Sequence, residues 1–362
     1  LLDGRLTADV TYYDKYTRDQ IVESELSYLS NYQRVIINSG KISNKGWEIS
    51  VSGVPVKVKN FEWKTIFNWS KNNSIVESLP EGIDKIQIGS GVYNVKSYAE
   101  VGKPYGAIYA KTFKRDAEGY ILCQLDGSPK EGQDYEYLGC VQADWRGGWN
   151  NVFRLGNFSF SVMFDFQKGG KFFSQTSIQS SVDGQSVKSL EGRDADFFSR
   201  KILGESDEER YGFMRPQNAN TPTANGQIYP DWGRPKGVVL PNCRYDEDVE
   251  GLAGQQVLGY CTPERYWMHY TSRDISRFIY DASYVKLREI TVSYDLPKKW
   301  LRKTPFQTFR VAAVGRNIAT LFANTPHGLD PQATSTTGNA QGFERGFNLP
   351  SATYGFDIKV SF

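Results

Sequence analysis

The last nine residues, YGFDIKVSF (Tyr354–Phe362), alternate strictly between apolar and small or polar side chains. Tyr354, Phe356, Ile358, Val360 and Phe362 fall on one side of an extended chain, with Gly355, Asp357, Lys359 and Ser361 on the other. Chain ends ordinarily fray and carry polar residues. An apolar stripe kept to the final position instead calls for a strand with one face in an apolar medium. The pattern recurs upstream in Leu6, Ala8, Val10 and Tyr12, and in Trp47, Ile49 and Val51. It returns in Phe61, Trp63, Thr65, Phe67 and Trp69, and in Phe158, Phe160, Val162, Phe164 and Phe166. Each reads as a long strand with one apolar and one polar face.

The connections are of two kinds. VPVKVKN after Gly53, LGN around Gly156 and PKKWLRKTP after Leu296 are short. Asp14–Lys45, Asn72–Arg146, Gly169–Ala282 and Phe322–Ser351 are long, and the third far exceeds an ordinary loop. Short turns alternating with long loops predict an all-β, antiparallel transmembrane β-barrel in the outer membrane. The turns and the C-terminus are then periplasmic and the loops, including 169–282, extracellular. A soluble β-sandwich also alternates. Three features favour the barrel. Aromatic residues cluster near strand ends (Trp63, Trp69, Tyr294, Trp300, Tyr354, Phe362), as in an interfacial girdle. The nine-residue final stripe is long enough for a tilted crossing of the hydrocarbon. The polar faces carry Ser, Thr, Asn, Asp and Lys, which suit a wet lumen.

Strand parity then assigns YGAIYAKTFKRD (Tyr105–Asp116) to a loop and leaves about eight strands in the wall. One strand breaks phase: Val285 and Leu287 lie on one parity, Ile290, Val292, Tyr294 and Leu296 on the other. A β-bulge at Arg288–Glu289 would do this, or the upper part projects above the membrane toward a different neighbour.

Composition narrows the function. A formal net charge of +2 over 362 residues gives no footprint for nucleic acid. Aromatic residues at 14%, with 34 Gly and only 3 Met, favour strands over helices. No run of apolar residues is long enough for a transmembrane helix. The opening LLDGRLTADVTYY has no basic region and no Met, and reads as the interior of a larger structure.

ASYVKLREITVSYDLPKKW (Ala282–Trp300), followed by FRVAAVGRNIATLF (Phe309–Phe322), resembles the C-terminal part of SusC/RagA-type TonB-dependent transporters. FSFSVMFDFQKGGKFFSQT (Phe158–Thr176), VGKPYGAIYA (Val101–Ala110) and the terminal YGFDIKVSF are similar to the same family. The resemblance implies that residues 1–362 are the C-terminal part of a 22-stranded barrel. The plug domain, TonB box and signal are not visible in this chain. It further implies import of oligosaccharides or oligopeptides, energised by the TonB–ExbB–ExbD complex. A SusD/RagB-like surface lipoprotein is the implied partner, outer-membrane lipid surrounds the barrel, and a dimer of transporter–lipoprotein pairs is allowed. Terminal Phe362 resembles the signal read by the barrel-assembly machinery. The competing class is a secreted or surface all-β glycan-binding module or glycosidase.

The sequence holds no HExxH, GxSxG, P-loop or GxGxxG, and QKGGK (Gln167–Lys171) is too short to cradle phosphate, so no enzyme or cofactor is expected. With two His in all, His269 reads as a loop histidine. The acidic runs ESDEER (Glu205–Arg210) and RYDEDVEG (Arg244–Gly251) could offer oxygen ligands to Ca²⁺, or stand as solvated loop charges. Tyr229, Asp231 and Trp232 place aromatics beside a carboxylate, which suits sugar stacking or peptide capture, or else loop packing and lipoprotein contact. Tyr266, Trp267 and Tyr270 read as loop core or partner interface rather than substrate contact. Cys123, Cys140, Cys243 and Cys261 form no CxxC, which argues against zinc. Two disulfides between sequence neighbours, Cys123 with Cys140 and Cys243 with Cys261, are the expectation.

Overall fold

The computed structural model describes residues 5–25, 34–125, 127–190, 238–261, 266–326, 328–333, 341–346 and 351–362. In chain order its elements are β1 (Leu6–Glu25), β2 (Arg34–Val58), β3 (Phe61–Ser78), β4 (Lys85–Ser90), β5 (Lys96–Glu100), β6 (Ala107–Ala110), β7 (Ile121–Cys123) and β8 (Glu136–Cys140). There follow β9 (Trp145–Leu155), β10 (Phe158–Lys168), β11 (Lys171–Ser174), helix α1 (Gln175–Val182), β12 (Val238–Tyr245) and β13 (Gln256–Cys261). The last are β14 (Ile279–Asp281), β15 (Tyr284–Asp295), β16 (Thr308–Ala323), β17 (Phe343–Glu344) and β18 (Thr353–Ser361).

The long stripes form one wall. β1, β2, β3, β9, β10, β15, β16 and β18 lie side by side in that order as an eight-stranded sheet, antiparallel throughout. Because every neighbour runs antiparallel, the three short connections fall at one end of the wall and the long ones at the other. The final strand therefore ends at the short-turn end. Among the described residues β1 and β18 each pair along one edge only.

The apolar stripes meet across the wall as the alternation predicts. Phe158 lies tilted against Tyr294 at 4.6 Å between ring centroids, while Phe153 stacks on Phe160 at 6.1 Å and Trp63 on Phe153 at 5.9 Å. Trp149 stacks on Phe164 at 5.9 Å. Offset stacking of this kind adds to the cross-strand pairing that holds a sheet together. Two indole N–H groups on this face are satisfied locally: Trp63 Nε1 donates to Asn151 Oδ1 at 3.0 Å and Trp149 Nε1 to Thr65 Oγ1 at 2.9 Å. Those pairs let a polar atom sit in an apolar medium without loss. Gly147, opposite Phe166, leaves room for that ring, which a Cβ would strike.

The phase break in β15 is a bulge. Ile290, Val292 and Tyr294 pair with Val162, Phe160 and Phe158, and Leu287 and Val285 pair with Phe164 and Phe166. Arg288 is the extra residue, so all five apolar side chains stay on the apolar face. One expectation fails. Asp14–Lys45 is not a loop: the β1–β2 ladder runs on to the pair Glu25–Arg34. Past Tyr12 the alternation in hydropathy fades while the backbone pairing continues.

Beyond the long-connection end the chain builds a head from three small sheets, β4–β5–β6–β8, β13–β12–β7 and β14–β11–β17. β6 lies in the first of these, so Tyr105–Asp116 belongs to the loops as parity requires. The head carries the buried core. One cluster gathers Phe113, Cys123, Leu240, Cys243, Tyr266, Trp267 and Tyr270. A second packs Val95, Ile108, Phe173, Ile178, Phe278 and Phe343. Ser174 caps α1, accepting from Ser177 N at 3.1 Å, and donates its own hydroxyl to Glu344 Oε2 at 2.6 Å.

Candidate functional site

The polar face of the wall is grooved. One cavity of about 480 Å³ is lined by Asp9, Thr11, Glu48, Asn68, Arg146 and Asp165. A second, of about 410 Å³, lies toward the head between Asn44, Asn72, Tyr105, Gln142, Trp145 and Arg146. A third, of about 390 Å³, is bounded by Arg146, Asp165, Gln167, Lys171, Tyr284 and Gln332. Arg146 borders all three and Asp165 two of them. These side chains converge because β9 and β10 place Arg146 opposite Gln167 and Gly148 opposite Asp165 on adjacent strands.

The hydrogen bonds fix this junction. Arg146 Nε donates to Gln167 Oε1 at 2.9 Å, and Gln167 Nε2 donates in turn to the carbonyls of Gly169 and Ala282 at 3.1 and 3.2 Å. Asp165 accepts from the Arg288 guanidinium and from Tyr284 Oη. The β15 bulge supplies this arginine, since Arg288 is the residue that the ladder leaves over. Beside it Lys286, 1% exposed, donates to Asp330 at 2.5 and 2.6 Å and to Gln332 Oε1 at 3.0 Å. Gln332 Nε2 donates to Tyr284 Oη at 2.6 Å. The segment after β16 is thereby tied down over the polar face of β15. A paired, hydrogen-bonded buried ion pair of this kind fixes geometry more than it adds stability. The arrangement offers a guanidinium, carboxylates and amides to a polar ligand, with no nucleophile–base pair among them.

In the head, burial works to raise the Asp246 pKa, but hydrogen bonds from Lys114 and Lys130 outweigh it and bring the group to about 2. Asp248 also takes Lys130. Two of the four RYDEDVEG carboxylates, Asp246 and Asp248, are thus engaged by lysines. Burial raises the Tyr105 hydroxyl to about 12, and among the described residues it has no hydrogen-bond partner.

The residues singled out by sequence fare differently. Tyr229, Asp231, Trp232 and the ESDEER run lie outside the described residues. Tyr266 and Trp267, each 1% exposed, and the buried Tyr270 pack into the head core, so their side chains offer no surface to a partner. Aromatic richness marked a core as readily as an interface. Of the two expected pairings of neighbouring cysteines, the structure separates Cys123 from Cys140, and the Cys261 side chain lies outside the described residues. Cys123 and Cys243 meet in one cluster, whereas Cys140 lies in another sheet, where its Sγ donates to Tyr105 O at 3.5 Å. Phe362 is exposed and its ring lies 5.3 Å from that of Phe306. Sequence reasoning missed the Arg146–Asp165–Arg288 junction. Its signal was present in the charged residues on the polar face of two strands and in the phase break beside them.

No protein-family model matches the chain. It is 24% identical over 376 residues to TonB-dependent receptor P3 of Formosa agariphila, covering 98% of this chain and 31% of that protein. It is 26% identical over 193 residues to TonB-dependent receptor P26 of the same organism, covering 48% of this chain and 19% of that one. Among solved structures, the RagAB peptide transporter superposes with a TM-score of 0.59 at 16% identity, covering 99% of this chain and 34% of that chain. The RagAB peptide importer in its closed-closed state matches with a TM-score of 0.59 at 17% identity, over 99% and 34% of the two chains. The chain spans about a third of the length of the first of these receptors and of the RagAB chains. The eight-stranded wall and its head therefore have the fold of part of a TonB-dependent transporter barrel. The resemblance to SusC/RagA-type transporters read from the motifs holds over nearly the whole chain. The relatives bear the names of receptors and transporters, not of enzymes.

Proposed function

We propose that this chain forms part of the wall and the outer loops of a TonB-dependent outer-membrane importer. One observation carries the reading: a single sheet is apolar on one face and grooved with charged and amide side chains on the other. Lipid meets the first face and cargo passes along the second. The head faces outward, where a SusD/RagB-like lipoprotein covers it, and Phe362 faces the periplasm as the residue read during barrel assembly. Further strands pair with β1 and β18, because an open sheet edge is not tolerated in hydrocarbon. Energy arrives from TonB–ExbB–ExbD through elements outside this chain.

The cargo on this reading is an oligopeptide. The groove sets the Arg146 guanidinium against the carboxylates of Asp9 and Glu48. Groups of both signs suit the ionic ends and amide backbone of a peptide better than the neutral hydroxyls of a plain sugar. The naming of RagAB as a peptide transporter supports the same choice. Membrane fractionation with a heat-modifiability gel tests the importer reading. The full-length protein is expected in the outer-membrane fraction, migrating differently before and after boiling. Recovery of the full-length product in soluble form without detergent would overturn it.

A further inference from the structure

Two cysteines far apart in sequence are brought together inside the head. β7 and β12 run parallel, with Ile121 beside Cys243 and Cys123 beside Tyr245. Cys123 and Cys243 are therefore diagonal neighbours on one face of a strand pair, since side chains two residues apart share a face. Both are buried in the cluster with Leu240, Val257 and Trp267. Their sulfurs converge over Gly259 of β13. A Cβ placed there would lie 2.7 Å from Cys243 Sγ and 3.3 Å from Cys123 Sγ, so only glycine leaves the space they occupy. The two side chains are within hydrogen-bonding reach of each other. Cys140 is in the separate β4–β5–β6–β8 sheet, hydrogen-bonded to the Tyr105 carbonyl and to Gln142 N.

We propose that Cys123 and Cys243 form a disulfide that staples the connection between β3 and β9 to the connection between β10 and β15. The bond forms by thiol–disulfide exchange with an external oxidoreductase in its disulfide form. One cysteine thiolate attacks the oxidant's S–S bond to give a mixed disulfide. The second thiolate then displaces the oxidant, which leaves as a dithiol. The two cysteine sulfurs are oxidised, the two oxidant sulfurs are reduced, and the two protons pass to the departing thiols. Forming the bond gives up, among other contacts, the weak S–H···O bond from Cys243 to the Leu240 carbonyl, 3.1 Å, and because both sulfurs are buried in the folded head the exchange takes place before the head closes over them. The consequence is mechanical: two of the longest connections in the chain move as one body at their junction. The proposal rests on the outer-membrane reading, because a cytosolic thiol pair stays reduced.

The test is a peptide map of the full-length protein, isolated without reductant and alkylated while denatured. The expected result is a Cys123-bearing peptide joined to a Cys243-bearing peptide, about 2 Da lighter than the sum of the two thiol forms and separated by reduction. Alkylation of both Cys123 and Cys243 would overturn the proposal, as would a bond from either to Cys140 or Cys261. Fractionation reads location and the map reads the bond, so an outer-membrane protein with both thiols alkylated sinks this inference alone.

Discussion

The wall and the head solve opposite problems with the same residue types. In the wall, Phe160, Trp149 and Phe356 turn outward, and Phe356 is 87% exposed. In the head, Phe113, Phe278 and Trp267 turn inward, with Trp267 1% exposed. An aromatic side chain seeks an apolar medium, and the two regions differ in which side of the backbone supplies it. The wall takes that medium from outside and needs only a ladder and alternation. The head must assemble it from its own segments, so its stability rests on contacts between remote residues. The comparison also separates the electrostatics. Charges on the wall gather on the grooved face around Arg146, Asp165 and Arg288, whereas the head pairs Asp246 with Lys114 and Lys130 beside its core.

The sharpest way to break this contrast is Trp267→Ala. Removing a buried aromatic should cost the head about 3–5 kcal/mol. Hydrogen exchange should rise across β7, β12 and β13 while the wall strands keep their protection. Loss of heat-modifiability in the same variant would show that wall and head do not fold separately. Next in size is Phe160→Arg, a charge placed on the apolar face. It should cost about 2–4 kcal/mol in a denaturant titration in bilayers if that face meets hydrocarbon near mid-depth. Ser161→Arg, one residue along on the polar face, should cost clearly less, and equal costs would refute the assignment of faces. The smallest effect concerns acid. The Asp246 pKa is held at about 2, below its ordinary 3.8, so its pairing stabilises the head above the ordinary value. That contribution should fade as pH falls from about 4 toward 2, and Asp246→Asn should flatten the loss. An unchanged pH profile in that variant would remove Asp246 from the account.

The wall was legible in the sequence because a sheet between two media writes its geometry at a period of two. Five stripes and three short turns place its strands, and the slip at Arg288 marks its bulge. Legibility ended where the alternation fades although the pairing runs on, which is why the β1–β2 ladder beyond Tyr12 read as a loop. The head was illegible for a different reason. Lys114 meets Asp246 and Cys123 meets Cys243 across more than a hundred residues of chain, and such contacts impose no local period. The tyrosines and tryptophan at 266–270 announced an apolar environment without saying whether it was a partner's surface or their own interior. The groove fell between these cases. Asp165 was visible on the polar face of its stripe, but its arginine partner stood at a position that alternation does not assign.

That position has an inheritance of its own. Anywhere else in β15, gaining or losing one residue would turn part of the strand inside out, sending lysine to the apolar face and leucine to the groove. Arg288 alone stands outside the count. Against β10 the strand would keep both faces in place with or without it, and on the β16 side Arg288 falls within the irregular step between the Leu287–Ala319 and Glu289–Arg316 pairs. An ordinary position in the ladder answers to two neighbours and one medium. Arg288 hydrogen-bonds across the groove to Asp165 and Gln332, which makes it a place where the groove can change its chemistry while the β10–β15 ladder stays the same.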